Sequence, residues 1–192
     1  MSDYNFGPAA DGERFVFGSS RPGYPTRLVP ATEVEAWLDA MAQREIRRVV
    51  CLLDETQLTY YGPPAEGLIG RYREFFGAER VLHAPVKDFG LATAGTFAEV
   101  LPFLDDAVTE DERVIVHCSM GSGRTGQVLS AWVAHSRGLH PADALDAVAK
   151  IPYIARDPLE VVHAGRATIE ALHGLLDGVR RGTSGAAAGA SP

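Results

Sequence analysis

The chain has 192 residues, 46% apolar and 22% charged, the balance of one soluble globular domain with a sizeable core. Its 18 Lys and Arg against 25 Asp and Glu give a formal charge of −7 with no basic run to offset it, so a general affinity for nucleic acid or an anionic membrane is disfavoured. The N-terminus lacks the basic start and apolar stretch of a signal peptide, and no apolar run reaches membrane-spanning length. A cytoplasmic location is therefore expected, and the two cysteines, Cys51 and Cys118, read as thiols rather than as a disulfide framework.

Residues 1–13 are polar and Gly/Pro-containing, and the reading predicts a flexible segment there. Arg14–Gly18 reads as a first strand, followed by a Gly- and Pro-rich turn over Ser19–Pro25. Thr32 and Glu35 have capping-box spacing, and Val34, Trp37, Leu38 and Met41 recur with helical period, predicting a helix to about Arg44. Arg48–Leu53 is the continuous apolar run of a strand buried on both faces. A helix from about Ala65 to Phe76 and a strand over Arg80–Val86 follow. Phe97, Val100, Leu101, Leu104 and Val108 mark the next helix, with Pro102 an awkward interior residue. Arg113–His117 is a second buried-type strand. Helices are predicted from about Arg124 to Ser136, from Pro141, and over about Leu159–Leu176. Alternating strands and helices predict an α/β fold, a largely parallel central sheet flanked by helices, over residues 14–178. Residues 179–192 are small, polar and Gly-rich, and read as a disordered tail.

Residues 117–126 read His-Cys-Ser-Met-Gly-Ser-Gly-Arg-Thr-Gly and join a buried strand to a helix. A helix start presents unpaired N–H groups and the positive end of a dipole, and Gly121 and Gly123 let the backbone curl so that those groups converge on an oxyanion. Ser119, Met120, Gly121, Ser122 and Gly123 would wrap a phosphate, and Arg124 can add a bidentate fork to two of its oxygens. A thiol at the floor of that nest is stabilised as its thiolate, so one field serves both the phosphate and the nucleophile. A nucleotide-binding P-loop would need glycine at 118 and lysine at 124, and both departures damage that reading.

The loop resembles the signature of the protein tyrosine phosphatase superfamily: His-Cys, five residues, Arg, Thr and Gly. The element order and the stretch Ala84–Gly90 are similar to its compact dual-specificity branch over about residues 14–176. The resemblance implies a phosphatase that forms a phosphocysteine on Cys118, clamps phosphate with Arg124, and needs no metal or other cofactor. It implies that His117 supports the loop and that Thr125 donates its hydroxyl to the departing thiolate. Asp88, thirty residues before the cysteine in a Lys-Asp-Phe-Gly turn, has a spacing similar to that of the family's general acid, with Asp54 the runner-up. Arg156, in Ile151–Pro158, lies in a region that looks like the family's late loop beside the pocket and is a candidate substrate contact. Arg21, in the Ser-Arg-Pro-Gly turn, is a weaker one. Cys51 is a candidate redox partner of Cys118, with a buried core thiol as the alternative. His83, His135, His140, His163 and His173 show no metal-ligand spacing.

The expected substrate is a phosphorylated protein carrying phosphotyrosine, with phosphoserine and phosphothreonine open. Two alternatives stand beside it: a phosphatase for a phosphoinositide or an RNA 5′-phosphate, and a non-catalytic phosphate-binding module. The loop lacks lysines, which argues against a highly charged inositide.

Overall fold

The computed structural model describes residues 4–62 and 67–187, with the side chains of 181–187 left aside. Five strands form one sheet: β1 (Gly7–Pro8), β2 (Val16–Ser20), β3 (Ile46–Cys51), β4 (Val81–His83) and β5 (Arg113–Cys118), in the order β1-β2-β5-β3-β4. All neighbours run parallel except the β1–β2 pair at the edge. The mixed α/β architecture with a largely parallel central sheet is the one the alternating pattern implied.

The central strand β5 explains where the core lies. Its side chains alternate, so Val114, Val116 and Cys118 enter one apolar layer and Ile115 and His117 the other. The first layer packs under α4 (Ala94–Thr109), α5 (Gly123–Arg137), α6 (Pro141–Ala149) and α8 (Ile169–Ala187). The second packs under α1 (Ala31–Gln43), the short α2 (Glu55–Leu58) and α3 (Gly67–Phe76). Trp37, Leu38 and Met41 of α1 are fully buried there; burial of side chains this size contributes roughly 1.5–3 kcal/mol each. A short α7 (Glu160–His163) leads into α8. Among the described residues no helix is long and apolar enough to cross a membrane.

Three local readings change. The box expected at Thr32 and Glu35 does not form: α1 starts at Ala31 with Pro30 at its cap, so Thr32 lies inside the first turn, and Arg71 of α3 takes both carboxylate oxygens of Glu35 at 2.7 Å. A capping box instead opens α4, at Thr93 and Thr96. Pro102 sits inside α4, which runs on without a break. The predicted start of α3 at Ala65 lies outside the described residues, as do residues 1–3 and 188–192; α8, however, extends to Ala187, past the predicted start of the disordered tail. The N-terminal segment, expected to be loose, is built into the molecule from Tyr4 onward. Tyr4 accepts from the Ser20 amide at 2.6 Å, and the Asn5 amide bonds the carbonyls of Met120, Gly121 and Ala155.

Candidate active site

The Cys118 loop closes on the ends of its neighbouring strands. Ser119 accepts from the Arg21 amide at 3.0 Å, and Gly121 lies so close to Ser19 that an added Cβ would sit 2.2 Å from the Ser19 carbonyl oxygen. Gly121 has φ of 78°, the left-handed turn that lets the loop curl back before α5 begins at Gly123. The predicted nest residues 118–124 therefore form one turn from strand to helix, with Cys118 at its floor and buried.

Above it lies a pocket of about 170 Å³. Cys118, Ser119, Gly123 and Arg124 form its floor, the carboxylates of Asp88 and Glu160 its walls, and Tyr24, Phe89 and Met120 an exposed apolar rim. Arg124 is buried and reaches four acceptors: the carbonyls of Leu52 and Val86, Gln57 Oε1 at 2.8 Å and Asp88 Oδ1 at 2.7 Å. Its partner Asp88 remains half exposed. The sequence thus places Asp88, Cys118 and Arg124 in one pocket from three separate elements.

Asp54, the runner-up acid, has both carboxylate oxygens engaged by backbone N–H groups. One carboxylate oxygen caps α2 through the Gln57 amide and the other accepts from the Asp88 backbone N–H at 3.2 Å, so Asp54 holds the turn that carries Asp88. Gln127 of α5 holds the far side of the same turn through Gly90 and Ala92.

His117 bonds in two directions. Its Nδ1 faces the Cys118 carbonyl at 3.3 Å and its Nε2 faces the Tyr72 hydroxyl at 3.1 Å. A carbonyl only accepts, so the ring proton belongs on Nδ1 and Tyr72 donates to Nε2. Burial drives the His117 pKa down to about 3, with Arg21 and Arg124 adding repulsion against the bond to Cys118. The ring supports the loop as a neutral hydrogen-bonding group and brings no positive charge to Cys118.

Arg156 is placed behind the loop rather than beside the pocket. It donates Nη1 to the Gly121 carbonyl and Nη2 to that of Asn5, and its Nε makes no bond among the described residues. Gly18 makes room for it, since a Cβ there would meet Arg156 Nη2 at 2.5 Å. Burial lowers its pKa to about 10, opposed by attraction to Cys118, so it stays charged at neutral pH. Arg156, read from the sequence as either a substrate contact or a solvated side chain, is here a buried cation that braces the loop and does not line the pocket. Arg21 plays a similar part: its Nε faces Ser119 Oγ at 3.3 Å, and Tyr24, Tyr60 and Tyr61 surround its guanidinium. Thr125 is buried, and its hydroxyl makes no hydrogen bond to a described residue.

Cys51 is a free, buried thiol at the end of β3. It pairs with His117 across β3 and β5 and shares the α1–α3 layer, whereas Cys118 faces the α4–α5 layer. Side chains on opposite faces of a sheet cannot be bridged without moving backbone. Burial pushes the Cys51 thiol up to about 12, opposed by a backbone hydrogen bond at Leu53 and the pull of Arg124 and aided by repulsion from Cys118.

Sequence reasoning missed Glu160, Gln57, Tyr72 and Asn5. A signal existed for Gln57, because Asp54 and Gln57 have the spacing of a helix cap. The others come from segments distant in the chain, with no local pattern to mark them.

The sequence profile of the polymorphic toxin system DSP-PTPase phosphatases matches residues 26–137, and the chain belongs to that family. Its fold is that of the dual-specificity and tyrosine phosphatases. Two uncharacterized proteins of Methanocaldococcus jannaschii are each 35% identical to it over 51 residues, 27% of this chain. The chain spans about a third of the length of these curated relatives, 32% and 35%. Among solved structures, Tk-PTP in its active form aligns over 94% of this chain and 99% of its own, with 24% identity and a TM-score of 0.64. Kinase associated phosphatase, with its catalytic cysteine replaced by serine, aligns over 90% and 89% with 16% identity and a TM-score of 0.64. PTPMT1 aligns over 95% and 98% with 16% identity and a TM-score of 0.61. These likenesses are of fold.

Proposed function

We propose that the chain is a protein phosphatase that hydrolyses phosphotyrosine, with phosphoserine and phosphothreonine as further candidates, through a phosphocysteine on Cys118. The observation that carries this reading is the convergence of Cys118, Arg124 and Asp88 in one pocket whose rim is Tyr24, Phe89 and Met120. An apolar rim suits the phenyl ring of phosphotyrosine. It gives nothing to the polar ring of an inositide, and the two carboxylate walls oppose any polyanion, which weighs against phosphoinositides and RNA 5′-phosphates.

In the proposed cycle the phosphate takes the Arg124 donor now held by Asp88. Asp88, released from Arg124 and protonated from solvent, then faces the leaving oxygen. The Cys118 thiolate attacks phosphorus, the P–O bond to the substrate breaks, and Asp88 gives its proton to the departing oxygen. Water next attacks the phosphocysteine while the Asp88 carboxylate takes its proton. The S–P bond breaks, and the returning thiolate accepts the unpartnered Thr125 hydroxyl. Loop N–H groups and Arg124 stabilise the phosphoryl oxygens in both steps. No step uses a metal or cofactor, and the partner is a phosphorylated protein rather than nucleic acid or a membrane.

The experiment is a panel of phosphopeptides, phosphoinositides and RNA 5′-phosphates assayed in excess chelator. Cys118→Ser should abolish turnover yet still bind phosphate esters; an active serine variant or loss of wild-type activity on chelation sinks the mechanism. Asp88→Asn should lose more kcat/KM on phosphotyrosine than on nitrophenyl phosphate, by a factor within the ~10²–10⁴ range of acid catalysis. A loss independent of the leaving group rules Asp88 out as the acid.

A further inference from the structure

Glu160, the first residue of α7, forms one wall of the catalytic pocket. Its carboxylate lies against the start of α5, so close that a Cβ on Gly123 would meet Oε2. The other charged groups on this side have partners. Asp88 is paired with Arg124 at 2.7 Å, Asp157 with His163 at 3.0 Å, and Arg166 stacks on Phe89 and donates to the Asp88 carbonyl. Among the described residues, no hydrogen bond or ion pair reaches the Glu160 carboxylate.

A pocket suited to an anion therefore carries in its wall a half-buried carboxylate that has no ion-pair partner among the described residues. Burial first, then repulsion from Asp157 and Asp88, hold the Glu160 pKa above its ordinary value against the pull of Arg124. Each of these is the unfavourable energy of a carboxylate lacking a cation, and the phosphate dianion adds to it. A substrate relieves that repulsion by bringing its own positive charge beside the phosphate; a substrate with acidic neighbours aggravates it.

We propose that Glu160 is a specificity-determining residue that favours phosphorylated protein segments carrying Lys or Arg next to the phosphoresidue and disfavours acidic-flanked ones. This rests on the protein-phosphatase reading and narrows its substrate class. The side chain acts on substrate charge, and the chemistry at phosphorus remains with Cys118, Arg124 and Asp88.

The test uses two phosphotyrosine peptides, identical except for Lys or Glu on either side of the phosphotyrosine, and nitrophenyl phosphate as a reference without flanks. The wild type should hydrolyse the Lys peptide with a kcat/KM on the order of tenfold above the Glu peptide at low salt, and the ratio should shrink as salt rises. Glu160→Gln keeps the side-chain shape and should bring the ratio close to one; Glu160→Lys should reverse it. Because each ratio compares two substrates on the same enzyme, a partly unfolded variant does not distort it. An equal ratio in all three proteins, or no wild-type preference, overturns the role of Glu160 while leaving the phosphatase reading intact. Turnover of nitrophenyl phosphate with neither peptide touched overturns the phosphotyrosine-protein reading and this inference with it.

Discussion

His117 shows how burial decides the charge of a single side chain. It is fully buried between Tyr72 and Trp37, with its Nδ1–H directed at the Cys118 carbonyl. In the unfolded chain it takes up a proton near its ordinary value of 6.5, but in the fold only near 3. Between those values the unfolded state binds more protons, so stability falls as pH drops below 6.5 and stops falling near 3. This group alone removes about 1.4 kcal/mol per pH unit, roughly 2 kcal/mol by pH 5. In His117→Asn, which keeps a donor near the Nδ1 position, urea unfolding should show lower stability at pH 7 and a shallower decline towards pH 5. Parallel declines in the two proteins would assign the acid sensitivity to other groups.

At the scale of the element, the turn from β5 to α5 is shaped by what lies behind it. Gly121 has a left-handed φ, and its Cα faces the backbone of Ser19 and Ser20, which cannot swing away as a side-chain end could. Gly138, which ends α5, has a similar φ of 63° with open space around it. Alanine at either position meets the same conformational cost, about 1 kcal/mol. Only at Gly121 does the methyl also displace the loop, and misplacement of catalytic groups by about 1 Å can cost on the order of 10²-fold in rate. Gly121→Ala is expected to lose both stability and activity, whereas Gly138→Ala should lose stability alone. Urea midpoints and kcat/KM on nitrophenyl phosphate separate the cases, and a Gly121→Ala enzyme with full activity contradicts the packing argument.

Across the whole molecule, the sheet separates two apolar layers and the two thiols with them. Cys51 shares its layer with Trp37 and Tyr72, and Cys118 opens into the pocket on the other side. Peroxide should therefore oxidise Cys118 without trapping it as a bridge to Cys51. Recovery of activity by reductant should be the same in wild type and Cys51→Ser, and mass spectrometry of the oxidised protein should find no Cys51–Cys118 peptide. Better recovery in the wild type, with such a peptide present, would mean that the strand ends rearrange on oxidation.

What the sequence determined by itself lies in contiguous stretches. The 117–126 motif reads as an anion nest because its physics is local: a strand end, glycines that permit the curl and a helix start within ten residues. The α/β class followed likewise from periodicity within each segment, as β5 and α5 illustrate. Long-range pairing was beyond that reach. Asn5 meets Gly121 across 116 residues and Tyr72 meets His117 across 45, and no local pattern marks either pair. Only the tertiary structure shows Asp54 capping α2, Arg156 behind the loop and Glu160 in the pocket. Secondary structure answers to neighbours along the chain, whereas the partner and charge environment of a buried polar group depend on which elements the sheet order brings together.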